Sequence, residues 1–125
     1  MTVVMRPRLV VEDAAKAIEF YVRALGATEV GQRYTMGGKI VHAELSLGDV
    51  TFSLKEADGG DRAPAPELGT SVLFGLDTDD ADGTYRRLLE AGATVVFPLG
   101  DTDYGLRQGR VADPFGHLWI ISQPI

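Results

Sequence analysis

His42 and Glu44 are the pair whose types and spacing could do chemistry together. They stand two apart in the run Lys39 to Leu47, where Val41, Ala43, Leu45 and Leu47 are apolar. Residues two apart on a strand share a face, so the pair points away from the apolar side. An imidazole beside a carboxylate could be a general base or half of a metal site. It could equally be an ordinary solvated strand face. With two donors and no third beside them, a stable metal site is unsupported. The other histidine, His117, follows Asp113-Pro114-Phe115-Gly116 and precedes Leu118-Trp119. Counting alternation back from Ile120 puts His117 and Trp119 on a helix-packed face, where the expected role is structural and the indole N–H finds a partner.

Composition removes other chemistries. The chain has 125 residues and no cysteine, which excludes disulfides, thiolate metal sites and a cysteine nucleophile. Gly37-Gly38 and Gly59-Gly60 lack the spacing and the following Lys-Ser/Thr of a phosphate loop. No GxSxG or Ser-His-Asp arrangement is visible. Twelve basic against eighteen acidic residues give a net charge of −6. Such a chain is unsuited to unaided nucleic-acid binding or to an anionic membrane. No secretory signal or membrane helix is expected in Met1 to Leu9 or beyond, and a cytoplasmic location is expected.

The elements that must position these residues follow from periodicity. A strand over Leu9 to Val11 leads to Asp13, which caps a helix from Ala14 to Leu25 that Gly26 ends. Strands are expected over Thr28 to Tyr34, Lys39 to Leu47 and Val50 to Lys55, with turns at Met36-Gly37-Gly38 and Gly48-Asp49. Ala57 to Gly69, with its Asp, Gly and Pro content, reads as a linker or mobile loop. The order then repeats: a strand over Ser71 to Leu76, a helix over Asp79 to Ala91, and strands over Val95 to Leu99, Arg107 to Ala112 and Leu118 to Ser122. The acidic run Asp77, Asp79, Asp80 and Asp82 is a helix cap and first turn. Gly26-Ala27-Thr28 and Gly92-Ala93-Thr94 lie 66 residues apart, Tyr21 and Tyr85 lie 64 apart, and Gly48 and Gly116 lie 68 apart. Offsets this similar indicate a duplicated βαβββ unit. One domain is expected, with repeats at about residues 5–56 and 70–123 joined by a linker at 57–69.

The segments Leu9-Val-Val-Glu-Asp13, Ala17-Ile-Glu-Phe-Tyr21, Leu25-Gly-Ala27, Glu90-Ala-Gly-Ala93 and Asp113-Pro-Phe-Gly-His-Leu-Trp119 together resemble the vicinal-oxygen-chelate superfamily of glyoxalases, bleomycin-resistance proteins and dioxygenases. Tyr104-Gly-Leu-Arg107 ahead of Asp113-Pro114 is most similar to its PhnB-like branch. The resemblance implies an α+β fold in which two βαβββ units curl a mixed sheet around a groove. It also implies a homodimer, and in most members a divalent metal held by His and Glu and acting as a Lewis acid. Carried onto this sequence, the four ligand positions fall near Arg6 and on Ser53, Ser71 and Ile120, none of which is His, Asp or Glu. The expectation is therefore no cofactor, a divalent metal being the alternative.

Alternation assigns Arg6, Arg8 and Val10, then Thr51, Ser53 and Lys55, then Ser71, Leu73 and Gly75, and finally Arg107 and Val111 to the groove. Cations in such a cleft favour an anionic or carbonyl-rich ligand, unless Arg6 or Arg8 pairs with a neighbour such as Glu44. Tyr104, in the loop from Gly100 to Gly105, could lid the groove or simply sit in a turn. The ligand-binding set is Arg6, Arg8, His42, Glu44, Ser53, Lys55, Ser71, Tyr104 and Arg107, with no catalytic residue assignable. The expected function is metal-independent binding of a small molecule, drug sequestration included. One alternative is a metal-dependent lyase, isomerase or dioxygenase with relocated ligands, needing His42, Glu44 and Glu56. Another is a domain whose main activity is dimerisation.

Overall fold

The computed structural model describes residues 2–125. Ten elements follow in order: β1 (Arg8–Val11), α1 (Ala14–Leu25), β2 (Thr28–Met36), β3 (Lys39–Leu47), β4 (Val50–Glu56), β5 (Leu73–Asp77), α2 (Ala81–Glu90), β6 (Thr94–Asp101), β7 (Leu106–Ala112) and β8 (Leu118–Pro124). They form two compact units that divide at Ala63/Pro64. The sheet orders are β1-β4-β3-β2 and β5-β8-β7-β6, the same topology twice. In each sheet one pair is parallel, β1 with β4 and β5 with β8, and the others are antiparallel. Each sheet is thus mixed and open.

The same local chemistry sets the helix in both units. Asp13 accepts from Lys16 N at 3.1 Å and Asp80 from Gly83 N at 3.0 Å, satisfying otherwise orphaned N-terminal donors. Gly26 ends α1 at φ 72°, a left-handed conformation that glycine adopts without a Cβ penalty. A second device was not anticipated from the sequence. Glu56, at the end of β4, accepts from Ala14 N at 3.1 Å and Ile40 N at 2.7 Å. Gln123, on β8, accepts from Ala81 N at 2.8 Å and donates to Asp79 O at 2.8 Å. Both side chains stitch the last strand of a unit to its helix N-terminus, and they lie 67 residues apart, as do Ala14 and Ala81.

The helix covers one face of its sheet. In the first unit Leu9, Val11, Ala43, Leu45, Phe52 and Leu54 are buried beneath Ala17, Ile18 and Tyr21 of α1. Phe52 meets the Tyr21 ring edge-on at 5.7 Å between centroids, so it is core. In the second unit Val111, Trp119 and Ile121 are buried, as are Tyr85 and Leu88 of α2. Each fully buried large side chain contributes roughly 1.5–3 kcal/mol. Trp119 donates its indole N–H to Asp113 Oδ2 at 2.8 Å, and Asp113 Oδ1 accepts from Phe115 N and His117 N at the turn. His117 is buried, with its ring 6.0 Å from that of Phe74. Both aromatic residues therefore have structural surroundings.

Several boundaries differ from the sequence expectation. β5 begins at Leu73 rather than Ser71, α2 is shorter at each end, and β6 runs on to Asp101. The segment after β4 is tied down. Ala57 O accepts from Lys39 Nζ at 2.7 Å, Asp58 Oδ1 accepts from Gly60 N and Asp61 N at 2.8 Å each, and Ala65 bridges to Gly69.

Candidate functional site

The face of each sheet opposite its helix holds the polar side chains. In the first unit strand register aligns Arg8, Ser53 and Glu44 across β1, β4 and β3. Their side chains converge on His42. Arg8 Nη1 lies 2.7 Å from His42 Nδ1 and donates to Ser53 Oγ at 3.1 Å, while Nη2 donates to Val41 O at 2.6 Å. A guanidinium has no acceptor, so Nδ1 must accept and the ring proton sits on Nε2. Nε2–H then donates to Glu44 Oε1 at 3.0 Å. The result is a chain from cation to imidazole to carboxylate in which both ring nitrogens are engaged. The sequence assigned Arg8, Ser53, His42 and Glu44 to one binding set; the structure links them through His42, which receives Arg8 in place of the considered Arg8–Glu44 pair.

Lys55 occupies the adjacent row, but its ammonium turns into the segment after β4. It lies 2.6 Å from both Asp58 Oδ2 and Asp61 Oδ2. These contacts, with Asp58 the stronger, raise the lysine's pKa. The same ammonium, with the Asp61 and Gly60 N–H groups, holds Asp58 far below the usual carboxylate range. Lys55 therefore has its counter-ions within its own unit. Glu56, needed as a third ligand in the enzyme reading, lies on the other face and is held by Ala14 and Ile40. Arg6 and Ser71 are exposed residues that precede β1 and β5, so strand alternation does not orient them.

In the second unit Arg107 departs from the expected face. Its guanidinium reaches α2, with Nη2 at 2.9 Å and Nε at 3.2 Å from the Asp82 carboxylate, and Nη1 donates to Asp101 at 3.1 Å. Asp82 first and Asp101 second push the guanidinium pKa up, and Arg107 holds Asp82 below its ordinary value. The sequence paired Arg107 correctly with Val111, but Val111 is fully buried, so both belong to the helix side. A change of one residue in strand parity reverses the face. The residues on the open side of β7 are Gln108 and Arg110.

Those two line a depression of about 460 Å³ together with Phe97, Pro98, Tyr104 and Ile120. The Arg110 guanidinium lies over the Phe97 ring, 5.2 Å from its centroid. The Tyr104 hydroxyl bonds to Gln108 Oε1 at 2.5 Å, and Gln108 Nε2 donates to Ser122 Oγ at 2.7 Å. Tyr104 is exposed at the rim, as expected from its loop. The volume falls in the small-molecule range of about 300–1,000 Å³. Arg110 was missed in the sequence, although Val111 next to it was a signal: if the apolar residue is core, Arg110 faces the other way.

A family model of the Glyoxalase/Bleomycin resistance protein/Dioxygenase superfamily matches residues 3–121. The chain belongs to that superfamily. An uncharacterized protein of Mycobacterium tuberculosis is 43% identical over 126 residues, covering 97% of this chain and 74% of that protein. Among solved structures, TioX from Micromonospora sp. ML1 is 28% identical with a TM-score of 0.77, covering 99% of this chain and 100% of that one. The product of an Arabidopsis thaliana gene is 29% identical with a TM-score of 0.75, covering 98% and 99%. A PhnB protein from Bacillus cereus shares the fold at 21% identity and a TM-score of 0.69, covering 95% and 98%. The duplicated, mixed-sheet α+β architecture of the vicinal-oxygen-chelate superfamily is thus the architecture of this chain.

Proposed function

We propose that this chain is a metal-independent small-molecule binding protein. The observation that carries the reading is the depression on the open face of the second sheet, where an apolar wall of Phe97, Pro98 and Ile120 meets polar groups of Arg110, Gln108 and Tyr104. An apolar cavity with a few convergent polar groups is the usual form of a binding site.

Metal independence is supported by the chemistry of the donors. His42 is the imidazole on an open sheet face, and a guanidinium takes its Nδ1 lone pair while Nε2 carries the proton. A divalent ion there would have to displace Arg8 and sit beside its charge, so this donor set does not fit the metal. In the second unit Asp101 is the carboxylate at the depression, and it is engaged by Arg107. No group of three or more His, Asp or Glu suited to a metal occurs among the described residues.

The first experiment is metal analysis of untagged protein, with a thermal-shift series in Mn, Fe, Co, Ni and Zn salts. The expected result is substoichiometric metal and unchanged melting. About one metal per chain with a marked rise in melting temperature would overturn the reading in favour of a metal-dependent enzyme. A homodimer is part of the proposal, because β2 presents exposed Val30, Tyr34 and Met36 along a sheet edge and bare edges favour pairing. A monomer mass by light scattering would remove that part.

A further inference from the structure

The two units carry different charge along equivalent rows of their open faces. In the first, register aligns Arg8, Ser53 and Glu44, so a cation and an anion share a row. In the second, the same positions on β5, β8 and β7 are Gly75, Ile120 and Arg110. Gly75 has no side chain to reach across, Ile120 has no polar atom, and Arg110 stands without a carboxylate. The neighbouring row holds Asp77, Ser122 and Gln108. Asp77 is two strands away from β7 and forms no ion pair with Arg110 among the described residues.

The state of Arg110 is unusual for this chain. Arg33, Arg86, Arg87 and Arg107 each have an acidic partner. Among the described residues the half-buried Arg110 forms no ion pair and its buried Nε has no hydrogen-bond partner; Asp101, which lines the same depression, is held by Arg107. A buried donor left unmatched costs free energy, and the net charge of −6 leaves no shortage of carboxylates elsewhere. The guanidinium carbon lies over the Phe97 ring, 5.2 Å from its centroid, a cation–π contact that holds the group at the wall of the depression. With Nε buried, the two Nη groups are what remain to bind, and their edge matches a carboxylate in a two-pronged geometry. Pro98 and Ile120 supply an apolar wall beside it, and Tyr104 and Gln108 supply hydrogen-bonding groups at the rim.

We infer that Arg110 is the anchor of a subsite for an organic monocarboxylate with an apolar, aromatic-sized body. This rests on the small-molecule reading above and gives that ligand its charge class. The carboxylate takes the place across the row from Arg110, the position that Arg8 holds in the first unit and that Gly75 leaves open in the second, so that a cation and an anion again share the row.

The test titrates the full-length protein with benzoate, phenylpropanoate and indole-3-acetate, and with the matching neutral amides. Binding is read by calorimetry and by the arginine Nε–H signals in nitrogen-15 NMR spectra. At least one acid should bind with a submillimolar Kd, at least tenfold tighter than its amide, and should shift a single arginine Nε–H signal. Arg110→Met should remove that signal and weaken the acid at least tenfold. Arg110→Lys, which keeps the charge but not the fork, should fall between. Ile120→Glu, which sets a carboxylate directly across from Arg110, should also lose the acid while Arg110 remains in place. Arg33→Gln, whose ion-pair partner Glu29 lies in the first unit, should bind as the parent does. Equal binding of acids and amides, or unchanged binding by Arg110→Met, overturns the carboxylate inference and leaves small-molecule binding standing. Absence of binding by every acid also overturns it. The wider reading fails separately, through the metal analysis.

Discussion

Replacing Gly109 by alanine tests how closely β6 is pressed onto β7. A Cβ at Gly109 would stand 2.9 Å from both Leu99 Cα and Leu99 N, and 3.0 Å from Tyr85 Cε2. Two of those three atoms are backbone, so a rotamer change cannot relieve the contact. Tyr85 is itself fixed, because its hydroxyl donates to Phe97 O at 3.0 Å. The strand therefore has to move. Overpacking of this kind costs about 1–3 kcal/mol, while the lost flexibility of the unfolded chain returns about 0.4–1 kcal/mol. The net expectation is a destabilisation of about 1–2 kcal/mol. With a urea m-value of about 2 kcal/mol/M, the unfolding midpoint should fall by about 0.5–1 M. Gly75→Ala is the control: nothing lies within 4 Å of its Cβ position and its φ is not positive. Urea unfolding followed by Trp119 fluorescence and by circular dichroism gives both values. If Gly109→Ala is as stable as Gly75→Ala, the close approach of β6 is wrong, and with it the placing of Phe97 beneath Arg110.

Trp119→Phe removes the indole donor from buried Asp113 Oδ2, and a loss of about 1–3 kcal/mol is expected by denaturant titration. Tyr85→Phe removes the bond to Phe97 O and should cost about 1 kcal/mol; a neutral outcome would show that water replaces the hydroxyl. Asp58 has a depressed folded-state pKa because of Lys55, so its contribution is present above the ordinary carboxylate value of about 3.9. That contribution fades as pH falls through the depressed value. The melting-temperature gap between the parent and Asp58→Asn should accordingly shrink in acid, and a gap constant from about pH 7 to below about pH 3 would refute the ion pair. Lys55, with a raised pKa, keeps its contribution below about pH 10.4 and loses it above.

The fold was largely legible because its signals are local and repeated. Asp13 and Gly26 mark both ends of α1, and Gly-Ala-Thr recurs after each helix. Periodicity could not show where β5 begins, since Val72, Leu73 and Phe74 form an unbroken apolar run after Ser71. It is pairing with Leu118 and Trp119 that starts the strand at Leu73. The Glu56 and Gln123 stitches were invisible for a related reason. Each is a polar residue near a strand end whose partner amide at the helix N-terminus lies 42 positions away in sequence. The site was legible in part. His42 and Glu44 were placed by Ala43 and Leu45, which are core, and the same rule applied at Val111 puts Arg110 on the open face and Arg107 on the helix side. Nothing in the sequence shows that Lys55 and Arg107 have carboxylates within their own units, because Asp58, Asp61 and Asp82 lie in turns and helix surface.

The consequence of that last point reaches the function. A count of cations on the predicted groove face suggested a broad positive lining, yet Lys55 and Arg107 have carboxylate partners within their own units and Arg8 is held by hydrogen bonds. Arg8 is bound to His42 and Val41 O, Lys55 to two aspartates, and Arg107 to two more. An exposed ion pair of this kind adds little stability, but it cancels the field a ligand would feel. In the proposed reading the ligand is selected by Arg110, the half-buried cation left without an ion pair among the described residues, and its position can be compared across the duplication. The first unit kept an arginine on β1 and a glutamate on β3 in one row, whereas the second has a glycine and an arginine there. Gly75 leaves space at its end of the row, and Arg110 is a cation on the same row. Under the carboxylate proposal, a pair of repeats with the same topology divides its labour, one open face bonded upon itself and the other offering a cation to an anion.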